Sequence, residues 1–220
     1  MSQLPIVILI SGQGTNLQAI IDATKKGLPV DIRAVISNRA NAYGLTRARE
    51  AGIPTQIISH QDYSSRADFE EALQAGIDQY TPKVVVLAGF MRKLGSDFVK
   101  HYQGRMINIH PSLLPKYPGL ETHRRVLEAG DKEHGVSIHF VTEEVDGGPI
   151  ICQARLTVTP DDHEESLSQR VHKLEHTVYP QVLQWLSDGI LTLRGQEVYL
   201  DSQKLPRTGK HLCVSFPLSH

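Results

Sequence analysis

The chain has 220 residues, 40% hydrophobic and 21% charged, an ordinary globular composition that fits one domain burying roughly 70% of its unfolded surface. With 23 basic and 24 acidic residues the net charge is −1 and no block of like charge occurs, which speaks against a dedicated grip on nucleic acid and leaves room for a small anionic ligand. Cys152 and Cys213 lie far apart without metal spacing, and there is neither a signal-peptide pattern nor a run approaching the ~18 apolar residues of a membrane span. A cytoplasmic protein is expected, with Cys152 a buried small hydrophobe and Cys213 a tail thiol.

In chain order, apolar runs at 5–10, 31–37, 56–58, 83–89 and 105–110 read as strands, with helices expected at about 16–26, 45–51 and 65–80. Unbroken apolar strands separated by helices indicate a parallel sheet covered on both faces, an open doubly wound α/β arrangement. The stretch 111–123 carries three prolines and reads as a long loop. Two further strand-like runs, 136–141 and 149–158, flank TEEVDGG and suggest an antiparallel C-terminal part. A helix over 164–187 has apolar residues in steps of four and three, with Pro180 expected to kink it. The last thirty residues read as a short strand or hairpin and a loose tail.

Three places could carry chemistry. Ser11-Gly12-Gln13-Gly14-Thr15-Asn16 joins the first strand to the first helix, as a structural turn or as an anion cradle at a helix N-terminus. It lacks the third glycine and following acid of a dinucleotide site, and the Lys-Ser/Thr pair of a P-loop. Asn108 and His110 stand on one side of a strand at its carboxyl end, with Ile109 on the other, where open sheets bind ligands. Asp146-Gly147-Gly148 is an ordinary turn by itself, but Ser137 and His139 alternate on one face of the strand before it. An Asp beside a His raises the imidazole pKa and favours the charged form. A Ser-His-Asp nucleophile is disfavoured: there is no GxSxG elbow, and Ser112 lies two residues from His110. His163, His172 and His176 lack metal-ligand spacing, so no metal is expected.

ISGQGTNLQAII, AGFMRKL, NIHPSLLPKYPG and GVSIHFVTEEVDGGPII, in this order, resemble the glycinamide ribonucleotide formyltransferase family, folate-dependent enzymes of purine synthesis, over roughly residues 5–200. The resemblance implies a Rossmann-like formyltransferase domain over 1–205, with 206–220 as a C-terminal tail. It implies Asn108, His110 and Asp146 as the catalytic trio. Gly14, Thr15, Asn16, His172 and Glu175 would hold glycinamide ribonucleotide. Arg66, Met91, Arg92, Lys93, Leu94, Asn108, Thr142, Glu143, Glu144, Val145 and Asp146 would hold the co-substrate 10-formyltetrahydrofolate. His172 stands where the family often has Gln, and Lys93 where an aliphatic residue is common. The implied protein acts on these two small molecules, without nucleic acid, membrane or metal, as a monomer or weak homodimer. A formyltetrahydrofolate hydrolase usually carries an extra N-terminal domain and a methionyl-tRNA formyltransferase an extra C-terminal one. A non-catalytic nucleotide-binding module would have no use for the trio.

Overall fold

The computed structural model describes residues 3–214. It contains strands β1 (Leu4–Ile10), β2 (Val30–Ser37), β3 (Thr55–Ile57), β4 (Val84–Leu87), β5 (Met106–His110), β6 (Glu133–Phe140), β7 (Ile150–Thr157), β8 (Leu191–Arg194), β9 (Glu197–Leu200), β10 (Gln203–Lys204) and β11 (Lys210–Leu212). The helices are α1 (Thr15–Lys25), α2 (Tyr43–Glu50), α3 (Arg66–Asp78), α4 (Ser96–His101), α5 (Thr122–Ala129) and α6 (Glu164–Ser187). The main sheet runs β11-β7-β6-β5-β4-β1-β2-β3, and β8–β10 form a separate antiparallel sheet. In the main sheet β6 alone among the described strands runs against its neighbours β5 and β7. The expected open, mostly parallel α/β sheet with an antiparallel C-terminal part is what forms.

The strands sort their side chains by period two. Ile6, Ile8 and Ile10 of β1 join Val84 and Val86 of β4 in a core under α1, α2 and α6, while Val7 and Leu9 join Val85 and Leu87 in a second core under α3 and α4. On β5 and β6 the same alternation puts Ile107, Ile109, Val136, Ile138 and Phe140 into the first core. Asn108, His110, Ser137 and His139 therefore stand on the opposite face. Loops cover that face: Leu114 lies on Ser137 and Gln153, and Asp146 on His110 and His139.

Some elements depart from the sequence expectation. Helix α4 was not anticipated, and α5 starts at Thr122, inside the stretch expected to be loop, after Glu121 in a left-handed conformation (φ 58°). Helix α6 has the expected bounds, Glu164–Ser187, with Pro180 inside it. Lys210–Leu212, expected to belong to a loose tail, adds to β7 as a parallel edge strand; residues 215–220 of that tail lie outside the described residues. Cys152 is buried and Cys213 exposed.

Candidate active site

The turn after β1 is built by two backbones in contact. Gly14 is the N-cap of α1 at φ 70°, and a Cβ on it would sit 2.6 Å from the Gly44 Cα of α2. Gly44 N–H donates to the Gly12 carbonyl at 3.0 Å, and Arg47 Nε to the Gln13 carbonyl at 2.9 Å. The turn is thus held open-handed at a helix N-terminus, where free N–H groups and the helix dipole favour an anion. Two residues on, Asn16 Nδ2 donates to Glu175 Oε2 at 2.9 Å, leaving Asn16 Oδ1 buried without a partner. Burial pushes the Glu175 carboxyl up to about 7, against the lowering effect of Asn16. One turn of α6 earlier, His172 stacks on His176 with centroids 6.3 Å apart, and burial lowers the pKa of both rings. Asn16 and Glu175 therefore meet across the seam between α1 and α6, with Gly14 and Thr15 directly before Asn16 and His172 one turn before Glu175.

The trio converges at the carboxyl end of β5. The 142–149 turn folds back because Phe140 N–H donates to the Pro149 carbonyl at 2.9 Å; Gly148 has no room for a side chain, since its Cβ would meet the Phe140 oxygen at 1.8 Å. Asp146, at φ 54°, then presents Oδ2 to His110 Nδ1 at 3.4 Å and Oδ1 to His139 Nε2 at 3.6 Å. Gly119 N–H donates to the same Oδ2 at 2.9 Å. His110 Nε2 donates to the Tyr117 carbonyl at 2.9 Å, so both ring nitrogens face oxygen acceptors and the imidazolium finds a partner for each N–H. Asn108 Nδ2 lies 3.3 Å from His139 Nε2, and His139 Nδ1 donates to the Phe140 carbonyl at 2.9 Å.

The electrostatics correct one expectation. Burial lowers the His110 pKa, and the opposing pull of the Tyr117 carbonyl and Asp146 does not reverse it; the simple Asp-beside-His argument has the net sign wrong because it omits desolvation. Burial works to raise the Asp146 carboxyl, but His139, the Gly119 amide and the positive charge of His110 together hold it below its ordinary value.

The segments expected around the folate are the start of α3, the loop after β4 and the turn that carries Asp146. Arg66 opens α3, is exposed, and pairs with Glu70 at 2.7 Å; Glu70 in turn accepts Gly95 N–H at 2.8 Å. Met91, Arg92 and Lys93 are exposed and Leu94 is buried; Met91 N–H donates to Ser11 Oγ at 2.8 Å. In the 142–146 turn Thr142 is half-buried and Glu143, Glu144 and Val145 are exposed, with Glu143 3.5 Å from Lys100 of α4. Exposed Met91 and Val145 are two of the few large apolar side chains left open to solvent.

A profile of the formyl transferase family matches residues 4–183. The chain belongs to the formyl transferase family. It is 54% identical over 205 residues to the phosphoribosylglycinamide formyltransferase of Escherichia coli (strain K12), covering 93% of this chain and 97% of that one. The Haemophilus influenzae protein of the same name is 45% identical over the same coverage. A Coxiella burnetii phosphoribosylglycinamide formyltransferase, solved in complex with CHES, is 61% identical with a TM-score of 0.94, over 96% of this chain and 100% of that one.

In this formyl transferase Ser112 Oγ donates to the Lys116 carbonyl at 2.7 Å, away from His110, so no Ser-His-Asp nucleophile is assembled. Among the described residues no group of three or more His, Cys, Asp or Glu is placed to hold a metal ion, and no helix is long and apolar enough to cross a membrane. Sequence reasoning did not assign His139, although its alternation with Ser137 was visible. It missed Gly44, whose need appears only when two loops meet. It could not find the Tyr117 carbonyl and Gly119 amide, which are backbone atoms without a side-chain signature. His123 Nδ1 and His134 Nε2 lie 3.0 Å apart, and burial lowers both rings to about 4.

Proposed function

We propose that this protein transfers the formyl group of 10-formyltetrahydrofolate to the amine of 5′-phosphoribosylglycinamide, in de novo purine synthesis. The observation that carries the reading is the meeting of Asp146 with His110 beside Asn108 at one strand end, in a chain 54% identical to a protein named for that reaction. The 14–16 turn cradles the ribonucleotide phosphate, with His172 beside it, and Glu175 takes the ribosyl or glycyl end. The orphaned Asn16 oxygen next to Glu175 supports a hydroxyl or amine donor there. Arg66, segment 91–94 and segment 142–146 hold the folate, apolar Met91 and Val145 facing its ring system and Arg66 its carboxylates.

The amine attacks the formyl carbon directly, with no covalent enzyme intermediate. The carbonyl oxygen becomes an oxyanion and accepts hydrogen bonds from the Asn108 amide and His110 Nε2, which exchanges the Tyr117 carbonyl for it. Burial disfavours imidazolium in the free protein, but an oxyanion beside one nitrogen and Asp146 beside the other favour it as the tetrahedral intermediate forms. The carboxylate of Asp146 accepts the proton released by the attacking amine and returns it to the departing folate nitrogen. Holding both substrates in line supplies a further entropic share.

We place the protein in the cytoplasm as a monomer or weak homodimer, with one domain whose main sheet runs on through β11 to Leu212 instead of ending at 205, no metal and no nucleic-acid partner. Absorbance at the tetrahydrofolate band, with and without the ribonucleotide, tests the reading. Turnover strictly dependent on ribonucleotide is expected. Turnover without it would make the protein a hydrolase, and none under either condition would make it a binding module.

A further inference from the structure

We propose that Gln153 is a positioning residue for this reaction: from β7 it locks the root of the 111–119 loop and thereby fixes the Tyr117 carbonyl and the Gly119 amide against His110 and Asp146. Three strands align the residues concerned. His110 on β5 pairs with Ser137 on β6, and Ser137 with Gln153 on β7, so the three form one row across the sheet, on the face opposite the first core.

The row is bonded to the loop rather than to itself alone. Gln153 Nε2 donates to the Leu114 carbonyl at 2.8 Å and to Ser137 Oγ at 2.9 Å. Ser137 Oγ donates to the Ser112 carbonyl at 2.7 Å and accepts Leu114 N–H at 3.0 Å. Gln153, Ser137 and Ser112 are 3%, 0% and 0% exposed. An amide this deeply buried costs stability unless its donors are used, and here both are used on one loop residue and its anchor. A leucine would fill the space; only an amide can hold the Leu114 carbonyl.

Three and five residues downstream of Leu114 the loop delivers its two backbone contacts, Tyr117 to His110 Nε2 and Gly119 to Asp146 Oδ2. The Tyr117 carbonyl is the group that requires a proton on Nε2, the nitrogen the proposed mechanism turns toward the formyl oxygen. Without it, Asp146 at 3.4 Å draws the single proton of a neutral ring to Nδ1 and leaves Nε2 bare. Asp146, His139 and Arg125 face the ring, and His123 and His134 lie near enough to feel its charge. His139, His123 and His134 are held by contacts outside the loop, whereas Asp146 and Arg125 also bond to it through the Gly119 amide and the Pro118 carbonyl and would shift with it.

The inference rests on the catalytic role proposed for His110, and the experiment separates the two. In Gln153→Leu, ¹⁵N spectra of the free protein at neutral pH should show His110 Nε2 bare, where the parent carries a proton. The accompanying loss in kcat/KM should be at least about tenfold, short of the 10²–10³ expected for deleting a donor outright. Ser137→Ala, a smaller change at the same hub, should move both readouts in the same direction and carries the test if Gln153→Leu does not fold. A lowered melting temperature with the Nε2 proton unchanged would make Gln153 merely structural and overturn the inference. Near-normal turnover in His110→Ala would instead overturn the catalytic reading, while leaving the ¹⁵N result to stand.

Discussion

Replacing Asp146 by Asn tests the centre of the site with little change of shape. The side chain is 9% exposed and its Oδ2 lies 3.4 Å from His110 Nδ1, so solvent screens the pair weakly. With an effective dielectric of about 20, unit charges at that separation interact by roughly 5 kcal/mol, an upper bound before local dipoles compensate. If about half survives, the imidazolium loses some 2–3 kcal/mol of support, or roughly 30- to 150-fold in rate where that form is needed. Loss of the proton relay adds to this, so turnover should fall by between about 30-fold and about 10³-fold. The Asn oxygen can still accept Gly119 N–H, and the ribonucleotide contacts at 14–16 are untouched, so ribonucleotide affinity should change by no more than about twofold. The absorbance assay at saturating folate, with ribonucleotide varied, separates the two constants. Turnover within about fivefold of the parent would refute the role given to the carboxylate.

His110→Ala should cost at least two orders of magnitude in turnover, and a loss of about tenfold or less would mean that Asn108 carries the oxyanion. Gly14→Ala forces a side chain into a left-handed conformation and against the Gly44 backbone; the conformation alone costs about 1–2 kcal/mol, so melting should drop by at least about 3 °C and ribonucleotide affinity should weaken, whereas unchanged melting would show that α2 yields. Glu175, raised to about 7 from 4.5 by burial, favours its protonated form in the folded state. Its contribution to stability is therefore full below the unfolded value and is lost as pH rises through about 7, by up to about 3 kcal/mol. Glu175→Gln removes that slope, so the variant should be more stable than the parent at pH 8 and close to it at pH 4.5; parallel melting curves at both pH values would contradict the burial argument.

What the sequence shows of this molecule follows from which forces are local. The alternation in IVILI and MINIH is a side-chain pattern, so the two-faced strands and the common side of Asn108 and His110 are legible in it. The start of α5 is not, because Glu121 takes a left-handed φ to turn the chain out of a proline-rich stretch into helix. Strand β11 is three residues whose partner lies nearly sixty positions away, and no local pattern announces it. Asp146 is legible as a turn, but the reversal that brings it to His110 depends on the Gly148 backbone lying against Phe140. The sign of the His110 shift was out of reach for the same reason: burial is a property of the whole fold.

Asn108 and His110 stand on a ladder-bonded strand, while Asp146 and the backbone groups that meet it come from two loops laid over the polar end of that sheet face. The geometry of the donors is therefore inherited from the sheet, and that of the proton carrier from those loops. For anyone wishing to redirect this scaffold to another amine acceptor, the 14–16 turn and positions 172 and 175, where the acceptor is proposed to sit, are the places to vary, and the β5–β6–β7 row with the loops bonded to it is the part to leave alone.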